Sequence, residues 1–410
     1  MRPDSEHVVV VGASLAGLRA VQTARKLGFR SRLTLVGAEN HLPYDRPPLS
    51  KDMLHAEKEP STPALPGAAE LHELEVECLL GEPATALDVE ARRLTVGDNE
   101  LSYDALLVAT GARPRQLPGT EGLGGVHCLR TLEDSLALRE ALDRGARTVV
   151  IGAGFIGAEV ASAARRRDLP VTIVEAMPIP LTRAVGETAG HALSALHARH
   201  GADLRCGVAV EEVVGTHKVE AVRLSDGTTI PADLVVVGIG AEPVTDWLES
   251  SALSVDNGVI TDASLRAGDQ VWAAGDVARW HSSLFDRTLR LEHWTNAGEQ
   301  GAQAMQNLLA PDEATTYDHV PYFWSEWYAQ WIQMAGIPEG EPEVVTGSWD
   351  AEAFVALYRQ GDRLVGALAM NRRGDIMKYR SLIARRATWQ DALDLAAKRN
   401  ERSPVPSVPA

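Results

Sequence analysis

Cysteine is scarce: Cys78, Cys128 and Cys206 are the only three in 410 residues. No two stand at Cys-x-x-Cys or similar spacing, and metal clusters and dithiol relays need closely spaced thiolates, so neither chemistry is supported. No uninterrupted apolar run approaches the roughly 18 residues of a membrane helix. The opening "MRPDSEH" is polar and unlike a signal peptide, so a cytoplasmic protein is expected. Basic charge is in deficit, with 40 Lys and Arg against 56 Asp and Glu and a formal charge of −16. That balance argues against general nucleic-acid binding and suits solubility. Apolar content of 45% is ordinary, and the length implies two or three domains.

What is present is a device used twice. "HVVVVGASLAG" runs from four valines into a turn of small residues, and "LAGLRAVQTARKLG" has apolar residues at helical spacing before "RLTLVG" returns to strand. The order recurs as "RTVVIGAGFIG", "IGAEVASAARRRD" and "PVTIVEA". Each set reads as a βαβ unit, which predicts an α/β protein with two Rossmann-like, doubly wound domains. Buried-strand patterns ending in small residues follow at "ALLVATGARPR", "DLVVVGIGAEP" and "QVWAAGDVA". From about residue 320 the texture changes, and "AFVALYRQGDRLVGALAM" predicts an antiparallel hairpin in a smaller C-terminal α+β domain. The predicted boundaries are 1–112 with 242–320 for the first nucleotide domain, 113–241 for the second, 321–398 for the third, and 399–410 for a disordered tail.

A strand feeding a helix through glycines sets backbone N–H groups and the positive helix end against a pyrophosphate. The second copy, Gly152, Gly154 and Gly157, is intact, and its next strand ends at Glu175, placed to accept from a ribose 2′-hydroxyl and to repel a 2′-phosphate. NADH is therefore expected over NADPH. The first copy keeps Gly12 and Gly17 but has Ser14 in the middle, and its acidic residue, Glu39, lies a little beyond the strand. A serine is small enough for phosphate to approach. Two dinucleotide sites in one chain suggest hydride passing between them, and Asp276, after a strand in "AAGDVA", suits a ribityl chain or merely caps a helix.

With "PYDRPPLSK" (43–51) and "LEHWTNAGEQG" (291–301) added, the chain resembles the FAD-dependent NADH:ferredoxin reductases of bacterial oxygenase systems, in the pyridine nucleotide-disulfide oxidoreductase superfamily. The resemblance spans roughly residues 5–385 and implies a glutathione-reductase-like architecture. It implies that Gly12, Ser14, Leu15, Ala16, Gly17, Glu39 and Ala84 serve FAD, with Ala109, Thr110, Gly111 and Arg130 along its path. Gly275 and Asp276 would take the ribityl chain, and Arg46 and Trp294 would lie by the flavin. Gly152, Gly154, Phe155, Ile156, Gly157, Glu175 and Gly240 would receive NADH, with Arg183 beside the adenosine. Lys51, paired with Glu159, would put positive charge near the flavin as electrostatic support. The implied activity is hydride transfer from NADH to FAD and single electrons onward to a ferredoxin, for a haem monooxygenase or a ring-hydroxylating dioxygenase. A flavoprotein switch that responds to NADH without turnover remains the alternative. A disulfide reductase does not fit, because residues 37–77 hold no cysteine.

Two local features complete the sequence. "FWSEW" matches the family at Trp324, Ser325 and Glu326, but Trp327 stands where glutamine is frequent, which bears on the docking surface. Residues 359–386 carry Arg359, Arg363, Arg372, Arg373, Lys378, Arg380, Arg385 and Arg386 against Asp362 and Asp375. That excess is read either as a steering patch for an acidic ferredoxin or as a solvated, internally paired face. "RRR" at 165–167 reads as an exposed last helical turn.

Overall fold

The computed structural model describes residues 7–403. Among them no helix is long and apolar enough to cross a membrane. The described residues of Met1–Asp45, Thr62–Arg113 and Ala241–His319 form one compact unit, and those of Arg46–Ser61, Pro114–Gly240 and Val320–Ala410 form another. These divisions differ from the expected domains in two ways. Residues 46–61 gather with the second unit, and so does the C-terminal part. The final helix, Trp389–Arg402, also runs past residue 398, so the expected tail does not begin there. Its remainder, 404–410, lies outside the described residues.

The first unit is built on a six-stranded sheet in the order Arg266–Gly268, Val271–Ala273, Ala105–Val108, His7–Val11, Arg32–Gly37, Glu77–Leu80. All neighbours are parallel except the edge strand Arg266–Gly268. Val8, Val9 and Val10 are wholly buried, which is why this strand reads as a continuous apolar run instead of alternating. Helix Leu15–Lys26 packs closely on helix Trp294–Leu309, where Gly301 leaves no room for a Cβ against the backbone of Ala16.

The second unit repeats the plan with five parallel strands, ordered Asp203–Cys206, Val171–Glu175, Thr148–Ile151, Leu234–Val237, Val126–His127. It also contains a five-stranded antiparallel sheet, Tyr322–Trp327, Gln330–Gly336, Arg363–Met370, Phe354–Gln360 and Glu343–Thr346, followed by helices Arg373–Ala384 and Trp389–Arg402. The expected antiparallel hairpin forms at Gly361, with both strands buried along most of their length. Residues 46–61 are held by helix Leu132–Asp143: Ser135 Oγ donates to the Leu49 carbonyl at 2.7 Å and Arg139 to that of Met53 at 3.0 Å. The "RRR" run is not simply exposed. Arg167 donates to the Leu54 carbonyl at 2.6 Å and pairs with Asp143 at 2.6 Å, with its side chain 7% exposed.

Candidate functional site

In the second unit, Gly152–Gly157 joins strand Thr148–Ile151 to helix Phe155–Arg165. Gly152 has φ +99°, and a Cβ there would strike the backbone of Gly238; one at Gly157 would strike Gly152. The protein's own packing requires both. Gly154 is different. Its φ is −78°, and an added Cβ would come no nearer than 3.9 Å to any neighbour. Nothing in the chain calls for glycine there, whereas a ligand approaching the backbone would. Gly154 is the N-cap of a helix without a capping side chain and without an acidic residue in its first turn. Helices Leu132–Asp143 and Trp389–Arg402, by contrast, are closed by capping boxes, Thr131 with Asp134 and Thr388 with Asp391. Open N–H groups at a helix start fit a pyrophosphate.

Glu175 reaches this turn. Its Oε2 accepts from the Ala153 backbone N–H at 2.9 Å and its Oε1 from that of Met177 at 2.8 Å. The nearby Cys206 thiol has its pKa pushed up, first by burial and then by the Glu175 carboxylate, which disfavours the thiolate. Gly240 (φ +98°) and Ile156 are exposed, while Phe155 packs on Phe323 with centroids 4.8 Å apart. Arg183 is exposed on the short helix Thr182–Val185.

The first unit uses the same geometry. Gly12, at φ +126°, has no room for a Cβ against Ala109, nor has Gly17 against Gly12. Ser14 is the N-cap of helix Leu15–Lys26 with φ −125°, an ordinary extended value, and its side chain does not cap the helix. A serine therefore fits without strain, and again no acidic residue occupies the first turn. Leu15 and Ala16 are buried, so they present backbone to this turn. Thr110 Oγ1 donates to the Val244 carbonyl at 2.8 Å, and Gly111 lies beside it at φ +70°. Glu39 accepts from the Tyr44 hydroxyl at 2.6 Å, and Ala84 opens strand Ala84–Asp88 of a small antiparallel sheet.

The turn at Gly275 and Asp276 is held by a residue sequence reasoning passed over: Gln300 Oε1 accepts the Gly275 N–H at 2.8 Å. The Gln300 and Asn296 amide nitrogens are buried with no acceptor among the described residues, which fits a polar ligand. Trp294 donates its indole N–H to Asp45 at 2.6 Å. Asp45 and Gln300 lie within the two quoted motifs, which is the signal that would have found them.

Arg46, Lys51 and Arg130 belong to the second unit, where Arg46 donates to the Arg130 carbonyl at 2.6 Å. Lys51 Nζ meets Glu159 Oε2 at 2.8 Å. Glu159 is 5% exposed. A buried carboxylate needs its lone pairs satisfied, and here Ser50 Oγ also donates to Oε2 while Ser325 Oγ donates to Oε1. The role of Ser50 was missed, although it adjoins Lys51.

Two features of the C-terminal part left open by the sequence are placed by the structure. Trp327 is fully buried. The basic segment is partly internal: Arg372 Nε pairs with the buried Asp375 at 2.6 Å, joined there by Arg399, and Arg380 donates to the Val320 carbonyl at 2.8 Å. Arg359, Arg373, Lys378, Arg385 and Arg386 remain exposed.

Residues 6–301 match the family described as pyridine nucleotide-disulphide oxidoreductase, and residues 322–400 match a reductase C-terminal domain. The chain belongs to this family. It is 37% identical over 382 residues to rhodocoxin reductase of Rhodococcus erythropolis, covering 92% of this chain and 89% of that one. It is 34% identical over 394 residues to the ferredoxin–NAD(+) reductase component of the p-cumate 2,3-dioxygenase system of Pseudomonas putida, covering 95% and 96%. Among solved structures it is similar to the covalent putidaredoxin reductase–putidaredoxin complex, with 31% identity, a TM-score of 0.89 and coverage of 97% and 99%. The family name includes disulphide chemistry, but Cys78, Cys128 and Cys206 of this chain are all free thiols.

Proposed function

We propose that this chain is an NADH-dependent flavoprotein reductase that delivers electrons to a ferredoxin serving an oxygenase, and that it works in the cytoplasm. The observation that carries the reading is the repeated strand–turn–helix whose helix N-terminus is left uncapped, once in each unit. The near full-length likeness to ferredoxin–NAD(+) reductases supports the acceptor.

FAD, held in the first unit, supplies a carrier that takes a hydride and gives up electrons singly. Gly12, Ser14 and Gly17 would hold its pyrophosphate, and Asp276, positioned through Gly275 and Gln300, its ribityl hydroxyls. In the second unit Gly154 would hold the NADH pyrophosphate and Glu175 the adenosine ribose. Glu159 keeps the Lys51 ammonium fixed as electrostatic support, and no side-chain acid or nucleophile is needed. The exposed Arg359, Arg373, Lys378, Arg385 and Arg386 would steer an acidic ferredoxin.

The test is NADH-driven cytochrome c reduction with a panel of candidate ferredoxins across ionic strength. Fast, repeated turnover that requires one ferredoxin, with apparent affinity falling as salt screens the charges, is expected. Slow reduction without a ferredoxin effect, accompanied by a change in oligomer size, would instead identify a switch.

A further inference from the structure

We propose that Trp327 is a positioning residue for the Lys51–Glu159 ion pair and acts through Ser325; the proposal rests on the role given to that pair above. Trp327 Nε1–H donates to Ser325 Oγ at 2.7 Å. An indole N–H donates and never accepts, so Ser325 must accept there, and its one hydroxyl proton is left for another partner. That partner is Glu159 Oε1. The opposite oxygen, Oε2, accepts from Ser50 and from Lys51. Both ends of the carboxylate are thereby pinned, and the ammonium is pinned with it. Without the indole N–H, the Ser325 hydroxyl turns to other orientations and Oε1 loses its donor for part of the time.

The indole cannot swing away. It stacks on the His197 ring at 5.5 Å and 17°, and lies against Phe155 at 5.8 Å. His197 Nδ1 in turn meets the Tyr328 hydroxyl at 2.9 Å, and the Tyr328 backbone N–H donates to Ser162 Oγ at 2.7 Å. Residues 327 and 328 are thus held by helices Phe155–Arg165 and Glu187–Arg199 together. Tryptophan, which can only donate through its indole N–H, leaves the serine proton one choice.

The test measures how fast Lys51 is acylated by an N-hydroxysuccinimide ester in the flavin-loaded protein, by peptide mass spectrometry, with Lys378 as internal reference. Kinetics with NADH are measured alongside. Trp327→Phe keeps a ring against His197 and Phe155 while removing the N–H. Lys51 acylation should rise about fivefold in Trp327→Phe, the factor expected for loss of one such hydrogen bond. Ser325→Ala, which removes the donor outright, should rise at least as far, and the double variant no further than Ser325→Ala alone. The kcat should fall while the KM for NADH stays within about twofold. Wild-type Lys51 reactivity in Trp327→Phe, or a double variant in which the two effects multiply, overturns the proposal. Should Trp327→Phe fail to fold, Ser325→Ala alone decides, since unchanged Lys51 reactivity there removes the relay. Acylation is read without turnover, so a protein that reduces no ferredoxin still reports on Trp327.

Discussion

Glu175 has a structural duty besides the ribose contact proposed for it. Its two backbone hydrogen bonds, from Ala153 and Met177, brace the turn that precedes helix Phe155–Arg165. Charge-assisted bonds of this kind keep the carboxylate aimed. Glu175→Ala should raise the KM for NADH about tenfold and narrow the preference over NADPH, while Glu175→Gln, which keeps an acceptor, should mainly narrow the preference. Steady-state kinetics with both coenzymes check this, and unchanged constants for both would remove Glu175 from the site. At this scale the sequence was only half informative. Glu175 and Asp276 could be singled out because each sits at a fixed offset from a strand. The Ser50 and Ser325 contacts with Glu159 were not, because hydrogen bonds across more than a hundred residues leave no local pattern.

Helices Leu132–Asp143 and Trp389–Arg402 carry full capping boxes, but Glu187–Arg199, Trp294–Leu309 and Arg373–Ala384 lack a capping side chain as much as Leu15–Lys26 and Phe155–Arg165 do. What sets the last two apart is the glycine-rich turn that leads into each from a strand. The glycines of that turn divide by role. Gly157→Ala places a Cβ against the Gly152 backbone and should destabilise the second unit by more than about 2 kcal/mol. Gly154→Ala meets open space, so melting should change by less than about 1 kcal/mol while NADH binding weakens clearly. Thermal unfolding with coenzyme titration tests the contrast. Equal stability losses would mean that Gly154 is a packing residue. The duplicated βαβ pattern was legible because strand burial and helical spacing are local. The basic run at 359–386 left two readings open because charge along a sequence does not reveal depth: Arg372 lies on the buried Asp375, as the internally paired reading has it, while Arg373 stays exposed. Trp327 is in the core.

Across the whole molecule, the same strand–turn–helix geometry, with no capping side chain at the helix start, occurs once in each unit. The first unit assembles from three stretches of chain, and residues 46–61 leave it to gather with the second. No composition shift marks that transfer: Asp45 and Arg46 are adjacent in one motif yet fall in different units. Contacts of high sequence separation decide such boundaries, as when Ser135 holds Leu49. The most direct measurement is an anaerobic titration of the purified protein with NADH, following visible flavin absorbance. The account predicts a yellow protein that bleaches fully with one equivalent of NADH and regains its colour when oxidised ferredoxin is added. A colourless protein that cannot be reconstituted with FAD, or a bound flavin that NADH leaves oxidised, would contradict it.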